Sequence, residues 1–159
     1  MLGVALGDSI YLWNATDGSI QQLMSTQGEG SHVTSLSWIQ QGNYMAVGTS
    51  DHKVQIWDVE KLKQVRSMNG HRARVSSLSW NGPLLSSGGR DSLVLHHDVR
   101  EQRHKVGMLR GHTQEVCGLK WSPSGTQLAS GGNDNLLNIW DDRYTSQHNG
   151  QCDTPLHRL

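Results

Sequence analysis

Trp38, Trp80 and Trp121 stand 42 and 41 residues apart, and three other residue series keep nearly the same step. Trp13, Trp57, His97 and Trp140 are separated by 44, 40 and 43 residues. His32, His71 and His112 step by 39 and 41. Ser50-Asp51, Arg90-Asp91 and Asn133-Asp134 each place an Asp six residues before Trp57, His97 and Trp140. A shared period of about 40 to 45 residues means one small unit stacked on copies of itself, because such a unit cannot bury its apolar face alone. That period is the blade of a WD-repeat β-propeller.

The segments between the markers read as strands. Val33–Trp38, Val75–Trp80 and Val116–Trp121 alternate apolar and small residues with period two, the pattern of a half-buried strand. Each runs into a turn rich in Gly or Pro: Gln41-Gly42-Asn43, Asn81-Gly82-Pro83 and Ser122-Pro123-Ser124-Gly125. Second strands are expected to end at Gly48, Gly88 and Gly131. Third strands are expected at Val54–Trp57, Leu93–His97 and Leu137–Trp140, and outer strands near Ile20–Met24, Gln64–Met68, Lys105–Leu109 and Pro155–Leu159. No window keeps a helical period, so helix content is expected to be negligible.

About 15 strands make an all-β fold just short of four four-stranded blades. The blades fall near 1–30, 31–69, 70–110 and 111–140, with 141–159 read as a loop and the outer strand of the next repeat. The first opens on a second-strand pattern at Leu2–Leu6 and lacks an innermost strand. Propellers close on themselves to hide their edges, so a chain of this length is expected to be part of a larger ring, truncated at both ends.

Composition excludes several classes. Fourteen Lys and Arg offset fourteen Asp and Glu, against the basic excess of a nucleic-acid binder or a polybasic membrane module. No apolar run approaches the roughly 18 residues of a spanning helix, and the N-terminus lacks the basic flank of a signal peptide. There are two Cys, 117 and 152, too few for a disulfide framework, so free thiols are expected. With no Phe, the six Trp supply most of the aromatic bulk.

The run His112-Thr113-Gln114-Glu115-Val116-Cys117-Gly118-Leu119-Lys120-Trp121-Ser122-Pro123 resembles a blade signature of the fizzy and fizzy-related family, the substrate-recognising activators of the anaphase-promoting complex. Leu128-Ala129-Ser130-Gly131-Gly132-Asn133-Asp134-Asn135 continues it. So do Tyr11-Leu12-Trp13, Ala46-Val47-Gly48-Thr49-Ser50, His97-Asp98-Val99-Arg100 and the tail Thr154-Pro155-Leu156-His157. The resemblance implies four blades of a seven-bladed propeller and a non-enzymatic adaptor that binds short degrons. It also implies partners: the anaphase-promoting complex, degron-bearing substrates and spindle-checkpoint proteins, in nucleus and cytoplasm. Neither nucleic acid, membrane nor cofactor is implied. Asn133 and Asn135 match asparagines that help bind the family's Lys-Glu-Asn degron. The competing reading makes them turn residues chosen for left-handed backbone geometry.

His112, Ser130, Asp134 and Trp140 fit the hydrogen-bonded tetrad of WD repeats, and His71, Ser87, Asp91 and His97 repeat it with His in place of Trp. In the preceding blade His32, Asp51 and Trp57 are expected to keep it with Val47 in the Ser slot, and Gly7 breaks it in the first. A Ser-His-Asp set also suggests a hydrolase, but it recurs with substitutions and no G-x-S-x-G elbow is present. His96 and His97 are adjacent on a strand, so their side chains point to opposite faces and cannot chelate together. No C-x-x-C or H-x-x-x-H spacing supports a metal site. Gly88-Gly89-Arg90-Asp91 and Gly131-Gly132-Asn133-Asp134 match neither a Walker loop nor a dinucleotide fingerprint. Arg72, Arg74, Arg100, Arg103 and Lys105 read as ordinary solvated surface, with a mildly basic rim as the competing reading, and Arg90-Asp91-Ser92-Leu93 matches a minimal destruction motif by chance inside a turn and strand.

Overall fold

A computed structural model describes residues 1–26, 30–141 and 151–159. The alternating segments form four antiparallel sheets. The first holds β1 (Leu2–Leu6), β2 (Ser9–Trp13) and β3 (Ile20–Ser25). The second holds β4 (Val33–Trp38), β5 (Tyr44–Thr49), β6 (Val54–Asp58) and β7 (Lys63–Met68). The third is built from β8 (Val75–Asn81), β9 (Leu84–Gly89), β10 (Leu93–Asp98) and β11 (Lys105–Arg110). The fourth begins with β12 (Val116–Trp121), β13 (Gln127–Gly132) and β14 (Leu137–Asp141). Among the described residues there is no helix.

The C-terminal stretch adds one strand that the sequence pattern does not announce. β15 (Gln151–Cys152) turns back to the third sheet and pairs parallel with β11, making it five-stranded. β16 (His157–Arg158) pairs antiparallel with β14 and closes the fourth sheet, an outer strand inside the expected Pro155–Leu159 segment. Arg158 fastens it, donating from Nε to Asn138 Oδ1 at 3.1 Å and from Nη2 to the Gly111 carbonyl at 3.2 Å. Residues 142–150 of the expected loop lie outside the described residues.

Three interfaces join the four blades, and each has its own apolar cluster. Ile10, Leu12, Met45 and Val47 pack between the first and second blades, with Trp38 and Trp57 against them. Val54, Met68, Val75 and Leu85 fill the second interface with Trp80, and Val94, Val116, Trp121 and Trp140 fill the third. The period-two pattern produces this, because each sheet has one face toward the preceding blade and one toward the following blade.

The inner strands also meet through a repeated polar contact. Thr34 and Ser35 donate their hydroxyls to the Val75 carbonyl at 2.6 and 2.8 Å. One blade on, Ser76 and Ser77 donate to the Val116 carbonyl at 2.9 and 3.0 Å. The acceptor carbonyls lie at matching register shifts, between Val75 and Ser77 and between Val116 and Gly118. Such bulges leave a carbonyl outside the ladder, and the neighbouring hydroxyls satisfy it. Trp80 adds an indole donor to the Ser37 carbonyl at 3.1 Å, and Trp121 one to Ser86 Oγ at 2.9 Å.

This approach explains the glycines at the ends of the second strands. A Cβ on Gly88 would collide with Ser77 Oγ and stand 2.7 Å from Val116 Cγ1. Gly48 is similarly crowded by Ser35 Oγ and the Val75 carbonyl. Gly131 occupies the same register in the fourth blade, and nothing lies within 4 Å of its Cβ direction. Gly88→Ala should therefore destabilise the chain by about 1–3 kcal/mol, the usual cost of overpacking a well-filled interface. Gly131→Ala should stay within about 0.5 kcal/mol of wild type. Paired chemical-denaturation curves read the difference, and equal shifts for the two variants would contradict the interface assignment.

Candidate functional site

The upper end of each blade carries the turn between second and third strands and the lead-in to the inner strand. In the fourth blade the two are joined by Asp134, which lies in that turn. Its carboxylate accepts from His112 Nδ1 at 3.0 Å, from the Thr113 amide at 2.9 Å and from the Leu136 amide at 3.2 Å. With Nδ1–H committed to Asp134, His112 Nε2 is an acceptor. It receives the Ser130 hydroxyl at 2.8 Å, and Ser130 Oγ in turn accepts the Trp140 indole N–H at 2.8 Å. Asn138 Nδ2 also reaches His112 Nε2, at 3.1 Å. Ser130 and Asn138 are fully buried and Trp140 nearly so. This tautomer assignment follows from the network as a whole.

The third blade repeats the chain and lengthens it. Asp91 accepts from His71 Nδ1 at 3.0 Å, Ser87 donates to His71 Nε2 at 2.8 Å, and His97 Nε2 donates to Ser87 Oγ at 2.9 Å. His97 Nδ1 is then an acceptor, filled by His104 Nδ1–H at 2.9 Å. His104 thus supplies an extra link where His97 replaces tryptophan. Its neighbour His96 faces the other side of the sheet, where its Nδ1 accepts from Ser86 Oγ at 2.8 Å and its ring tilts against Trp121.

The second blade departs from the expected network. His32 is exposed and does not join Asp51 or Trp57; Ser31 is buried and donates to Asp51 Oδ1 at 2.9 Å in its place. The reason is register. His71 and His112 stand nine residues before Trp80 and Trp121, whereas His32 stands only six before Trp38. His32 therefore corresponds to Arg74 and Glu115, the residues immediately before the inner strands. All three use their carbonyl to hold the turn, accepting from Ser50, Arg90 and Asn133 amides at 2.9, 3.0 and 2.9 Å. With Val47 in the Ser slot, the Trp57 indole donates to Gln55 Oε1 at 2.9 Å instead.

The carboxylates are set by competing effects. Burial opposes the charge of Asp91, and hydrogen bonds from His71, Arg72 and Leu93 outweigh it, leaving its pKa below the ordinary value. Asp134 behaves alike, with burial overcome by the Thr113 amide, His112 and the Leu136 amide. Burial also opposes the Asp51 charge, but Lys53, Thr49 and Ser31 lower its pKa to about 2. Burial pushes His96 down to about 4, and burial with the neighbouring His104 and His71 holds His97 well below its ordinary value.

The two serines are sealed in and fully engaged, so these sets act as struts rather than as nucleophiles needing access to substrate. His96 and His97 part to opposite faces, and among the described residues no three metal-ligating side chains cluster. No helix among the described residues is long and apolar enough to cross a membrane. The basic residues are dispersed surface groups, as the solvated-surface reading has it, and form no common rim. Arg72 and Arg74 precede β8 at the upper end, while Arg100 and Arg103 lie in the β10–β11 connection at the opposite end, where Arg100 pairs with Asp98.

Asn133 and Asn135 flank Asp134 and are both exposed. They differ in backbone. Asn135 has φ +61°, and its counterparts His52 and Ser92 have φ +71° and +67°, so the turn itself asks for a residue tolerant of left-handed geometry. Asn133 carries no such requirement. Its Oδ1 accepts the Cys117 thiol at 3.0 Å, and it lines a cavity of about 410 Å³ with Thr34, Arg74, Ser76, Glu115 and Cys117. Sequence reasoning missed the bidentate pair at this cavity, in which Arg74 Nε and Nη2 each donate to Glu115 at 2.7 Å. The equivalence of the two positions, each just before a strand-opening valine, was the available signal.

The four sheets, their shared interfaces and the recurring Asp-His-Ser chain define a WD-repeat β-propeller architecture. Residues 103–141 match the family described as "WD domain, G-beta repeat", and residues 9–82 match "Anaphase-promoting complex subunit 4 WD40 domain". The chain is 52% identical over 141 residues to "Anaphase-promoting complex subunit cdc20" of Dictyostelium discoideum, covering 89% of this chain and 28% of that protein. It is 49% identical over 159 residues to "Meiotic fizzy-related protein 1" of Schizosaccharomyces pombe, covering 100% and 36%. A chain of a solved structure, "Crystal Structure of Mitotic Checkpoint Complex", superposes with a TM-score of 0.91 at 44% identity, over 99% of this chain and 45% of that one. The chain belongs to the fizzy and fizzy-related WD-repeat family, and it spans about a third of the length of the curated relatives it matches.

The buried imidazoles make stability pH-dependent. A histidine with a folded pKa below its unfolded value of about 6.5 leaves the unfolded state as the proton binder. The stabilisation is complete above pH 6.5 and is lost as pH falls toward the folded value, about 4 for His96. His96 alone should cost about 2 kcal/mol between pH 7 and pH 5. Unfolding free energies across that range should fall with acidification, and less steeply in His96→Gln. A flat profile in the wild type would contradict the buried neutral state.

Proposed function

We propose that this chain serves as part of a non-enzymatic adaptor that binds short degrons of cell-cycle proteins and brings them to the anaphase-promoting complex for ubiquitin transfer. Its relatives are named as subunits or cofactors of that complex, and the solved structure it resembles is a checkpoint assembly. On that footing spindle-checkpoint proteins are further partners; nucleus and cytoplasm as the place of action is part of the proposal. The mechanism is effective concentration: a tethered substrate meets the ligase at raised local concentration without new chemistry on the adaptor.

The observation that carries this reading is Asn133. Its exposed amide stands at the upper rim beside an open polar cavity, and its backbone demands no special geometry. An amide offers donors and an acceptor together, which suits a peptide presenting both charged side chains and backbone groups. Asn135 is exposed beside it and is the second contact by position, although its left-handed backbone already accounts for asparagine there.

Titration of a fluorescent Lys-Glu-Asn peptide tests the proposal. Asn133→Ala should weaken binding about tenfold, the loss of one well-placed hydrogen bond. Asn135→Gly, which keeps the turn, should weaken it less. Peptide affinity unchanged in Asn133→Ala would favour a WD-repeat scaffold of another pathway.

A further inference from the structure

The upper rim is held by a relay that crosses from the third blade to the fourth. The Arg90 amide donates to the Arg74 carbonyl at 3.0 Å. The Arg74 guanidinium donates twice, at 2.7 Å each, to the Glu115 carboxylate of the next blade. The Glu115 carbonyl accepts the Asn133 amide at 2.9 Å. Thus one residue uses its side chain to grip the neighbouring blade and its backbone to grip the turn that presents Asn133. Arg74 and Glu115 occupy equivalent positions, so the repeat has turned a blade-internal carbonyl contact into a link between blades.

The pair is asymmetric in environment. Glu115 is only 7% exposed, whereas the Arg74 side chain is 46% exposed. A nearly buried carboxylate needs its partner, because desolvation without compensation is costly. The planar guanidinium fork fixes direction as well as distance, which a single lysine ammonium would not do. Both side chains line the same cavity as the Asn133 amide.

We propose that Arg74 and Glu115 are a positioning pair for peptide binding at Asn133, setting the height and direction of its side chain at the mouth of the cavity. The inference rests on the degron reading of Asn133 and adds what holds that residue in place. It makes the binding site a property of two adjacent blades rather than of one turn. Loosening the pair lets the 133–135 turn shift relative to Thr34 and Ser76, which line the same cavity.

The test is a double-mutant cycle on the full chain, read by titration of the Lys-Glu-Asn peptide and by the Asn133 amide resonance in ¹H–¹⁵N spectra. Arg74→Ala and Glu115→Gln should each weaken the peptide about three- to tenfold, as loss of a charge-assisted contact predicts. The double variant should be no weaker than the worse single one, because the two residues act as a unit. The Asn133 resonance should move in both single variants. Arg74→Lys keeps the charge without the fork, protects Glu115 from an unpaired state, and should still lose affinity. Lowered melting temperatures with unchanged peptide affinity would overturn the inference and leave the pair a purely structural clamp. Additive losses would overturn it too. Those results with binding weakened about tenfold in Asn133→Ala would leave the degron reading intact, whereas Asn133→Ala binding like wild type would remove both.

Discussion

Everything at the upper rim depends on the carboxylate of Asp134 and its counterpart Asp91. Each ties the second turn of its blade to the lead-in of the inner strand through one histidine and backbone amides. The imidazole then passes the constraint inward, through a serine with no exposure, to the aromatic or imidazole ring of the third strand. A buried polar chain of this kind stabilises only when every member is paired, and each link here has a donor and an acceptor in compatible roles. The consequence is a rigid platform at one end of the third and fourth blades. Asn133 stands on that platform immediately beside the anchoring Asp.

A second constraint runs between blades. Hydroxyls of one inner strand fill the unpaired carbonyl of the next, and they approach so closely that Gly48 and Gly88 admit no side chain. The interface is therefore polar at the inner strands and apolar behind them, where Trp80 and Trp121 lie over the clusters. The Arg74–Glu115 pair belongs to this system and extends it to the rim. Specific geometry around Asn133 thus draws on contacts in two directions, within its own turn and across to the third blade.

Most of this architecture was legible in the sequence because period and alternation are local. A 41- or 42-residue step between tryptophans fixes where inner strands end, and the paired glycines fix where second strands end. The error at His32 shows the limit of counting. The step between histidines looked regular, yet the distance from each histidine to its own strand did not, and it is the latter that decides whether an imidazole reaches the turn. β15 was invisible because two residues pairing parallel with β11 carry no periodic signal. His104 was missed for a related reason: it lies in a connection, and only folding places it against His97.

The candidate site was half legible. Asn133 and Asn135 were recognisable by position, but the backbone angles separate a turn requirement at Asn135 from an asparagine at 133 that the turn does not require. The cross-blade pair that supports Asn133 joins residues 41 positions apart, which a single sequence shows only as two charges in equivalent places. The central claim is that the buried Asp-His-Ser-Trp chain holds the rim on which Asn133 sits. Native-state amide exchange in Ser130→Ala tests it most directly, since that change removes the hub without touching the surface. The account predicts faster exchange at Thr113, Asn133 and Leu136, with Arg72 and Leu93 of the third blade unchanged. Undiminished protection at the three fourth-blade amides would contradict it.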